Sequence, residues 1–340
     1  MPTILPNEQE ISQEVSPALA DALPPACQRL ESEISKIIIG QQDIVRSIIV
    51  GLLSQGHILL IGVPGLAKTL LIRTLADALA LDFTRIQFTP DLMPGDITGT
   101  EIIEEDKRTG GRAFRFVKGP IFANIVLADE INRTPPKTQA ALLEAMQEHR
   151  VTAGGHTFEL DEPFFVLATQ NPIEQEGTYP LPEAQLDRFM LNLWLDYPTF
   201  DDEVEVVRST TTGQITHIEP AMSQSELLNF QKLVRHLPVA NNVIEYAVRL
   251  VTSTRPHQDD TPLFVNEYIA YGAGPRASQY LILGAKALAA IDGRFTPLIS
   301  DVQQMAISVL RHRVIANFNA EADGITVQDL IQRILDAVPT

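Results

Sequence analysis

A phosphate-binding loop is predicted by the segment Gly62-Val63-Pro64-Gly65-Leu66-Ala67-Lys68-Thr69. The segment follows an apolar run typical of a strand and opens a run typical of a helix, so its backbone N–H groups would face an anion. Lys68 would neutralise the β- and γ-phosphates of a nucleotide, and the Thr69 hydroxyl would ligate magnesium. The general pattern has glycine at position 67, and we expect the methyl group of Ala67 to be tolerated if φ is negative there. The alternative is a Gly-Pro turn before a helix with a solvated lysine.

Two carboxylates, Asp129 and Glu130, follow the apolar run Ile125-Val126-Leu127-Ala128. The run predicts a buried strand, and ligands of parallel sheets bind at the carboxyl ends of the strands. Asp129 would hold magnesium through water, and Glu130 would polarise the attacking water. An apolar strand that ends in acids is common, but its place downstream of a phosphate-binding loop favours the functional interpretation.

Three further polar residues are candidates for contact with the phosphates. Asn171 follows a predicted strand and would contact the γ-phosphate or the attacking water, although a turn-forming role before Pro172 explains it equally well. Arg188 and Arg276 could supply the positive charge from which phosphoryl transfer gains rate. Isolated arginines are more often solvated or ion-paired, which is the alternative for both.

The seven histidines show no metal-ligand spacing, so we expect no transition metal held by the protein. The chain lacks the Asn-Lys-x-Asp segment by which GTPases read guanine. Its absence favours ATP as the nucleotide.

Short apolar runs alternate with helical periodicity through the first 200 residues. The alternation predicts an α/β fold, with a parallel sheet sandwiched by helices. Two hairpin insertions, at 99–117 and 150–160, interrupt it, and the second centres on Gly154-Gly155. The predicted strands cover 57–61, 83–88, 124–128, 164–169 and 190–195, and helical patterns cover 27–53 and 68–80.

The pattern becomes mainly helical after Tyr197-Pro198. Ser223 with Glu226, and Thr326 with Asp329, predict helix N-terminal caps. Further helices are expected at 241–254, 275–292 and 300–313. We therefore predict a loosely ordered lead-in over 1–30, an α/β nucleotide-binding domain over 31–200, and a linker helix with a smaller all-helical lid domain over 201–340.

The 340-residue chain has a formal net charge of −17. Nonspecific nucleic-acid binding needs a basic footprint, so this charge argues against it. The single cysteine, Cys27, permits no intrachain disulfide and suits a reducing cytoplasm. The N-terminus lacks the basic-then-apolar order of a signal peptide, and no uncharged apolar stretch reaches the ~18 residues of a membrane span. We expect a cytoplasmic protein without membrane insertion.

Together these motifs resemble the AAA+ superfamily of ATPases and, within it, the MoxR family, from about Gly40 to Arg313. In that family alanine at position 67 is ordinary. One departure is Gly274, where the family pattern has serine before Pro-Arg. The most specific segments are Gly40-Gln41, 62–69, 89–99, 118–120, 128–133, 168–172 and 183–189.

The resemblance implies a role for each candidate residue. Lys68 and Thr69 would be Walker A, Asp129 and Glu130 Walker B, Asn171 sensor 1, Arg188 the arginine finger and Arg276 the sensor-2 arginine. The hairpins at 99–117 and 150–160 would be the helix-2 insert and the hairpin before sensor 1. The nucleotide-binding residues implied are Ile39, Gly40 and Gln41 beside the adenine, and Gly62, Val63, Pro64, Gly65, Leu66, Ala67, Lys68, Thr69 and Leu70 along the loop.

The resemblance also implies a Mg²⁺-dependent ATPase that works in a hexameric ring with each site at a subunit interface. It implies a chaperone that remodels or matures partner complexes, often with proteins that carry a von Willebrand factor A domain. Two alternatives stay open, a nucleotide-switched assembly module with little turnover and a DNA-acting relative. Glu130 favours hydrolysis over the first. The acidic charge, with Arg150 the one basic Lys or Arg in the second hairpin, counts against the second.

Overall fold

The computed structural model describes residues 16–105, 112–174, 177–212, 216–259 and 261–340. Short loops join most of its helices and strands. In chain order these are α1 (Pro17–Ser35), α2 (Gln42–Leu53), β1 (Ile58–Gly62), α3 (Lys68–Leu79), β2 (Phe83–Gln87), α4 (Pro94–Thr98), β3 (Gly99–Glu105), β4 (Arg112–Lys118), β5 (Ile125–Asp129), α5 (Pro136–Glu148), β6 (Arg150–Ala153), β7 (His156–Glu159), β8 (Phe165–Gln170), α6 (Glu183–Leu186), β9 (Leu191–Leu195), α7 (Phe200–Thr211), α8 (Gln224–His236), α9 (Asn241–Thr252), α10 (Leu263–Tyr268), β10 (Ile269–Tyr271), α11 (Pro275–Ile291), α12 (Ile299–Leu310), β11 (Ile315–Ala316), α13 (Phe318–Ala322) and α14 (Val327–Ala337).

The central sheet has five parallel strands in the order β2-β5-β8-β1-β9. Its middle strands are apolar on both faces because helices cover both sides. In β5, Ile125 and Leu127 belong to one core cluster, whereas Val126 and Ala128 belong to the other. This is the burial expected of a parallel sheet, and it confirms the predicted α/β fold.

Two antiparallel hairpins project from the α/β part, as predicted. Strands β3 and β4 pair from Gly99 with Lys118 onward, and β6 and β7 pair on either side of a two-glycine turn. Gly154 and Gly155 have φ of +58° and +77°, the left-handed region that this tight turn requires. The rings of Phe116 and Phe158 stack with centroids 4.2 Å apart, so the two hairpins contact each other.

The prediction of a loosely ordered lead-in over residues 1–30 was wrong for residues 17–30, which lie in α1. Its apolar positions Leu23, Ala26, Leu30 and Ile34 are almost completely buried. They recur at helical spacing, so the helix buries one stripe against the rest of the core, which stabilises it despite two internal prolines. Residues 1–15 of that predicted segment lie outside the described part of the chain.

The helical pattern predicted over 27–53 forms two helices, α1 and α2, with a break between Ser35 and Gln42. Gly40 lies in this break with φ of +74°, a conformation that glycine adopts without strain. An ideal Cβ at Gly40 would lie 2.6 Å from the carboxyl carbon of Asp202, at the start of α7. The break therefore contacts the linker helix closely.

The C-terminal part is mainly helical, from α7 to α14, as predicted. Both predicted capping boxes are confirmed, because the Ser223 and Thr326 side chains accept hydrogen bonds from the N–H groups of Glu226 and Asp329. A short antiparallel pair, β10 with β11, was not predicted, since strands of two or three residues carry no readable periodicity. No helix within the described ranges has both the length and the apolar content needed to cross a bilayer.

Candidate functional site

The phosphate-binding loop joins the end of β1 to the start of α3. Gly65 has φ of +89°, and the space that a Cβ would occupy there is open. The Lys68 ammonium donates hydrogen bonds to two carbonyls of its own loop, at 2.5 Å to Gly62 and 3.4 Å to Val63. The first N–H groups of α3 have no partner within the helix and point out of its N-terminus, which suits an anion.

The condition given above for tolerance of the Ala67 methyl group, a negative φ, is not met, because its φ is +54°. This residue turns the loop into the first turn of α3, and the turn requires a left-handed conformation. Alanine pays roughly 1–2 kcal/mol for that conformation relative to the right-handed one. The loop geometry is therefore imposed by its surroundings rather than by the preference of this residue.

Lys68 lies near both predicted acidic residues. Partial burial lowers the pKa of the Lys68 ammonium, and the negative charges of Asp129 and Glu130 oppose that effect by raising the pKa. β1 and β5 both pair with β8, so the loop after β1 and the acids after β5 lie at the same edge of the sheet. The structure thus brings Walker A and Walker B residues together.

Asp129 ends β5 and is fixed by two neighbours. Its Oδ1 accepts a hydrogen bond from the Thr169 hydroxyl at 2.6 Å. Its Oδ2 accepts hydrogen bonds from Nε and Nη2 of Arg85, at 3.0 and 2.6 Å. The sequence analysis did not identify Arg85 as a site residue.

Glu130 follows in a left-handed conformation, with φ of +58°. Its N–H donates to the Thr169 hydroxyl at 2.8 Å, so one buried threonine orients both acids. Oε2 of Glu130 accepts a hydrogen bond from Gln87 at 2.8 Å and pairs with Nε of Arg133 at 3.0 Å. Arg133 also pairs with Glu174.

The donor set at this edge fits magnesium. Carboxylate and hydroxyl oxygens are the hard ligands that Mg²⁺ prefers, and the ion usually keeps several waters and binds through one or two carboxylates and substrate phosphates. Asp129 and Thr69 are the residues that would hold it. Arg85 now occupies one oxygen of Asp129, but its side chain is 47% exposed and so has room to move away.

Asn171 lies just after β8 and is only 6% exposed. Its Oδ1 accepts a hydrogen bond from the N–H of Ile173 at 3.3 Å, the turn-forming role that was left open. Its Nδ2 is buried and, within the described residues, has no hydrogen-bond partner. A buried amide donor without a partner is costly, and a phosphate oxygen or a water would satisfy it.

The segment predicted beside the adenine also approaches the loop. The Gln41 side-chain amide donates to the carbonyl of Leu66 at 3.5 Å. Ile39 and Gly40 are half-buried beside it, and Leu70 of α3 is exposed. Residues 39–41 therefore flank the phosphate-binding loop.

The two predicted arginines contact other parts of the chain. Nη1 of Arg188 donates to the carbonyl of Leu143 in α5 at 2.7 Å. Among the described residues, Arg188 forms no ion pair with Asp187 or Glu183, the carboxylates nearest to it in the sequence. Asp187 instead pairs with Arg276 at 3.2 Å and with Arg313 at 2.8 Å.

Several residues around the site were not predicted from the sequence. Arg85 and Gln87 are two residues apart on β2, so their side chains lie on the same face. In the parallel register, Gln87 pairs with Asp129. Two polar residues at the end of a predicted strand could have indicated that Arg85 and Gln87 lie at the site. The contact of Arg313 with residue 187 spans 126 positions, and no local pattern indicates it.

The chain has a parallel sheet with a phosphate-binding loop after one strand and paired acids after another, and a helical domain follows. These features define a P-loop ATPase of the AAA class. The profile of the "ATPase family associated with various cellular activities (AAA)" matches residues 57–191, and that of the AAA lid domain matches residues 263–334. Nucleotide binding follows from this class. By its relatives, the chain belongs to the MoxR family of AAA+ ATPases.

Those relatives cover nearly the whole chain. Chaperone MoxR1 of Mycobacterium tuberculosis is 43% identical, with 96% of this chain and 86% of that protein aligned. Protein MoxR of Methylorubrum extorquens is 28% identical over 92% of this chain and 95% of its own length. A crystal structure of a Cytophaga hutchinsonii protein is 41% identical and superposes with a TM-score of 0.88, covering 98% of each chain.

Proposed function

We propose that this protein hydrolyses ATP to ADP and phosphate, with Mg²⁺, in a homo-oligomeric ring of six subunits that remodels or matures partner protein complexes. One observation supports hydrolysis most directly. The loop that carries Lys68 and the acids Asp129 and Glu130 lie at the same edge of the sheet, because β1 and β5 both pair with β8. A phosphate cradle and two acids at one sheet edge are what phosphoryl transfer to water needs.

Binding begins at the loop. The N–H groups of residues 65–69 surround the β-phosphate, and Lys68 leaves the carbonyls of Gly62 and Val63 for the β- and γ-phosphates. Residues 39–41 border the adenine. Thr69 and Asp129 would hold magnesium, which would neutralise charge on the phosphates.

Hydrolysis uses Glu130 as the general base that takes a proton from the attacking water. The buried Nδ2 of Asn171 donates to the γ-phosphate or to that water. The Thr169 hydroxyl keeps both acids in register through its bonds to Asp129 and to the N–H of Glu130. Arg276 contributes charge from the lid.

Arg188 acts on the nucleotide of the neighbouring subunit. In the chain's own fold its guanidinium contacts Leu143 and no residue of the phosphate-binding loop within the described residues, which supports a role outside its own site. A positive charge supplied in this way is worth ~10³–10⁵ in rate. It contributes less to the affinity for ATP.

Mixed rings test this role. Arg188→Ala subunits keep an intact loop but lack the finger, and Lys68→Ala subunits keep Arg188 but lack the loop lysine. A ring made of either variant alone is therefore nearly inactive. When the two are mixed, we expect partial ATPase activity to return. Demonstrated co-assembly without any recovery would refute action between subunits.

Client binding is supported by exposed apolar side chains on the first hairpin. Ile103 and Phe114 are cross-strand partners, and they are 63% and 74% exposed. Adjacent apolar residues left in solvent mark a contact surface for another protein. A von Willebrand factor A domain protein is the partner class that the family resemblance implies, and MoxR1 is itself described as a chaperone.

A cytoplasmic location is part of this proposal. Cys27 is buried, and burial raises the pKa of its thiol to about 12, so it stays a thiol in a reducing compartment.

A nucleotide-switched assembly module with little turnover is the second candidate. The ion pair of Glu130 with Arg133 favours it, because the guanidinium engages a carboxylate oxygen that a general base would need for the attacking water. The turnover rate distinguishes the two candidates.

The decisive experiment measures ATP binding and turnover for the wild type and for Glu130→Gln. The amide keeps the shape of the side chain but cannot accept the proton, so we expect binding to persist and turnover to fall by ~10²–10⁴-fold. Glu205→Gln, at an exposed ion pair on α7, is the matched control. Turnover near the wild-type value would remove Glu130 as the base, and a wild type without turnover would leave the switch as the function.

A further inference from the structure

Residues 187–190, here called the finger segment because they include Arg188, are held by the lid. The carbonyls of all four accept hydrogen bonds from three lid side chains. Arg313 donates to the carbonyls of residues 187, 189 and 190, His312 donates to that of residue 189, and Tyr280 donates to that of Arg188. Four consecutive carbonyls bound to one domain fix the backbone at the finger.

The carboxylate of Asp187 adds two ion pairs of different character. Oδ1 pairs with Nε of Arg313, whose side chain is 2% exposed and also faces the ring of Tyr280. Oδ2 pairs at 3.2 Å with Arg276, which is 38% exposed. Removing the buried partner would leave uncompensated polar groups, whereas the half-exposed pair is worth less than about 1 kcal/mol. Arg276 is therefore the exchangeable partner.

Arg276 and Tyr280 are four residues apart on α11, so they lie on the same face of the helix. One contacts the carboxylate just before Arg188, and the other contacts the carbonyl of Arg188 itself. A shift of this face changes the placement of the finger segment.

We propose that Asp187 is a positioning residue that couples Arg276 to Arg188, so that ATP in one subunit controls the finger that this subunit offers to its neighbour. The proposal rests on the proposed function, in which Arg276 contacts the phosphates of its own subunit. The guanidinium of Arg276 cannot contact a phosphate and keep its ion pair with Asp187 at the same time. ATP therefore takes Arg276 from Asp187, loosens the finger segment and allows Arg188 to leave the carbonyl of Leu143.

The coupling makes an unusual prediction for mixed rings. At an ATP concentration that just saturates an intact loop, a Lys68→Ala subunit stays largely free of ATP, so its Arg276 stays on Asp187 and its finger is a poor donor. Adding Asp187→Asn to that subunit removes the charge from both ion pairs of residue 187 but keeps an oxygen that accepts a hydrogen bond from Arg313. When these double-variant subunits are mixed with Arg188→Ala subunits, we expect about two- to fivefold more ATPase activity than with Lys68→Ala alone, the factor that one half-exposed ion pair supplies.

Unfolding of the variant subunit would lower the activity, so a gain of activity excludes unfolding as its cause. Arg276→Gln in the Lys68→Ala subunit is the second variant, since it breaks the same pair from the lid side and should give the same gain. Asp292→Asn is the matched control. Asp292 follows the same helix α11 and pairs with Arg46 of α2, so its loss also breaks a contact between lid and α/β part, without touching the finger segment.

The failures are distinguishable. If the wild type shows no turnover, the proposed function and this coupling are both overturned. If the wild type turns over and Lys68→Ala with Arg188→Ala recovers activity, but neither Asp187→Asn nor Arg276→Gln increases it, only the coupling is overturned. An equal gain from Asp292→Asn would also overturn it, because general loosening of the lid would then be the cause.

Discussion

At the scale of single residues, Arg85 is the side chain that most directly opposes magnesium. It donates two hydrogen bonds to the oxygen of Asp129 that a magnesium-bound water would use. Arg85→Met keeps the aliphatic length and removes the charge. Because a partly exposed ion pair is worth up to about 1 kcal/mol, we expect the Mg²⁺ concentration for half-maximal ATP binding to fall about two- to fivefold.

A fluorescent ATP analogue titrated with Mg²⁺ measures this shift without requiring turnover. Arg115→Met, in an exposed pair with Glu104 on the first hairpin, is the control and should change nothing. A higher Mg²⁺ requirement in Arg85→Met would mean that the guanidinium orients Asp129 for the ion rather than competing with it.

Lys68 carries the second residue-scale prediction. Lys68→Ala removes the one full positive charge of the loop, and charge-assisted hydrogen bonds contribute about 1.5–3 kcal/mol each, so ATP affinity should fall by about 100-fold. Lys137→Ala, on α5, serves as the control for general loss of charge. Isothermal titration gives both affinities, and an unchanged value for Lys68→Ala would contradict the assignment of the loop.

At the scale of elements, His57 joins three parts of the α/β fold. It stands immediately before β1, its Nδ1 accepts a hydrogen bond from the N–H of Val166 in β8, and its Nε2 donates to the carbonyl of Met146 in α5. The Nδ1 bond is possible only for the neutral ring. Burial and, to a smaller extent, the nearby His149 lower the pKa of His57 to about 4, against the opposing effect of the hydrogen bond to Met146.

A pH dependence of stability follows. The folded pKa is below the ordinary value, so this contribution is fully present above pH 6.5 and is lost as the pH falls through about 4. The difference corresponds to roughly 3 kcal/mol. We expect urea unfolding of the wild type to weaken over this window by more than that of His57→Gln.

The carboxylates and His312 titrate in both the wild type and His57→Gln. Their effects on stability therefore cancel in the difference between the two, which reports His57 alone. His156→Gln, at the exposed turn of the second hairpin, should keep the wild-type slope. Parallel slopes for wild type and His57→Gln would contradict a lowered pKa of His57 in the folded protein.

At the scale of the whole molecule, a site completed by a neighbour requires assembly. ATP turnover per chain should therefore rise steeply with protein concentration and reach a plateau when sedimentation shows complete oligomers. Arg188→Ala should assemble equally well and stay ~10³-fold or more below the plateau. Constant turnover per chain across a range in which the protein dissociates would contradict the shared site.

The sequence alone determined those features of this protein that depend only on residues close together along the chain. The phosphate-binding loop, the acids after β5 and both capping boxes are local patterns, and each follows from the chemistry of a short segment. The strands of the central sheet were also predictable to within one or two residues, because burial on both faces leaves continuous apolar runs. Composition misled only at α1, where polar residues and prolines concealed an apolar stripe.

Only the tertiary structure decided which charges meet. Arg85 reaches Asp129 across 44 positions, and Arg313 reaches residue 187 across 126. Sheet order and lid packing create these contacts, and neither leaves a periodic trace in the sequence. The same holds for Ala67, whose positive φ is imposed by the turn from β1 into α3 against its own preference. A side chain's type limits the bonds it can form, but the fold selects its partner.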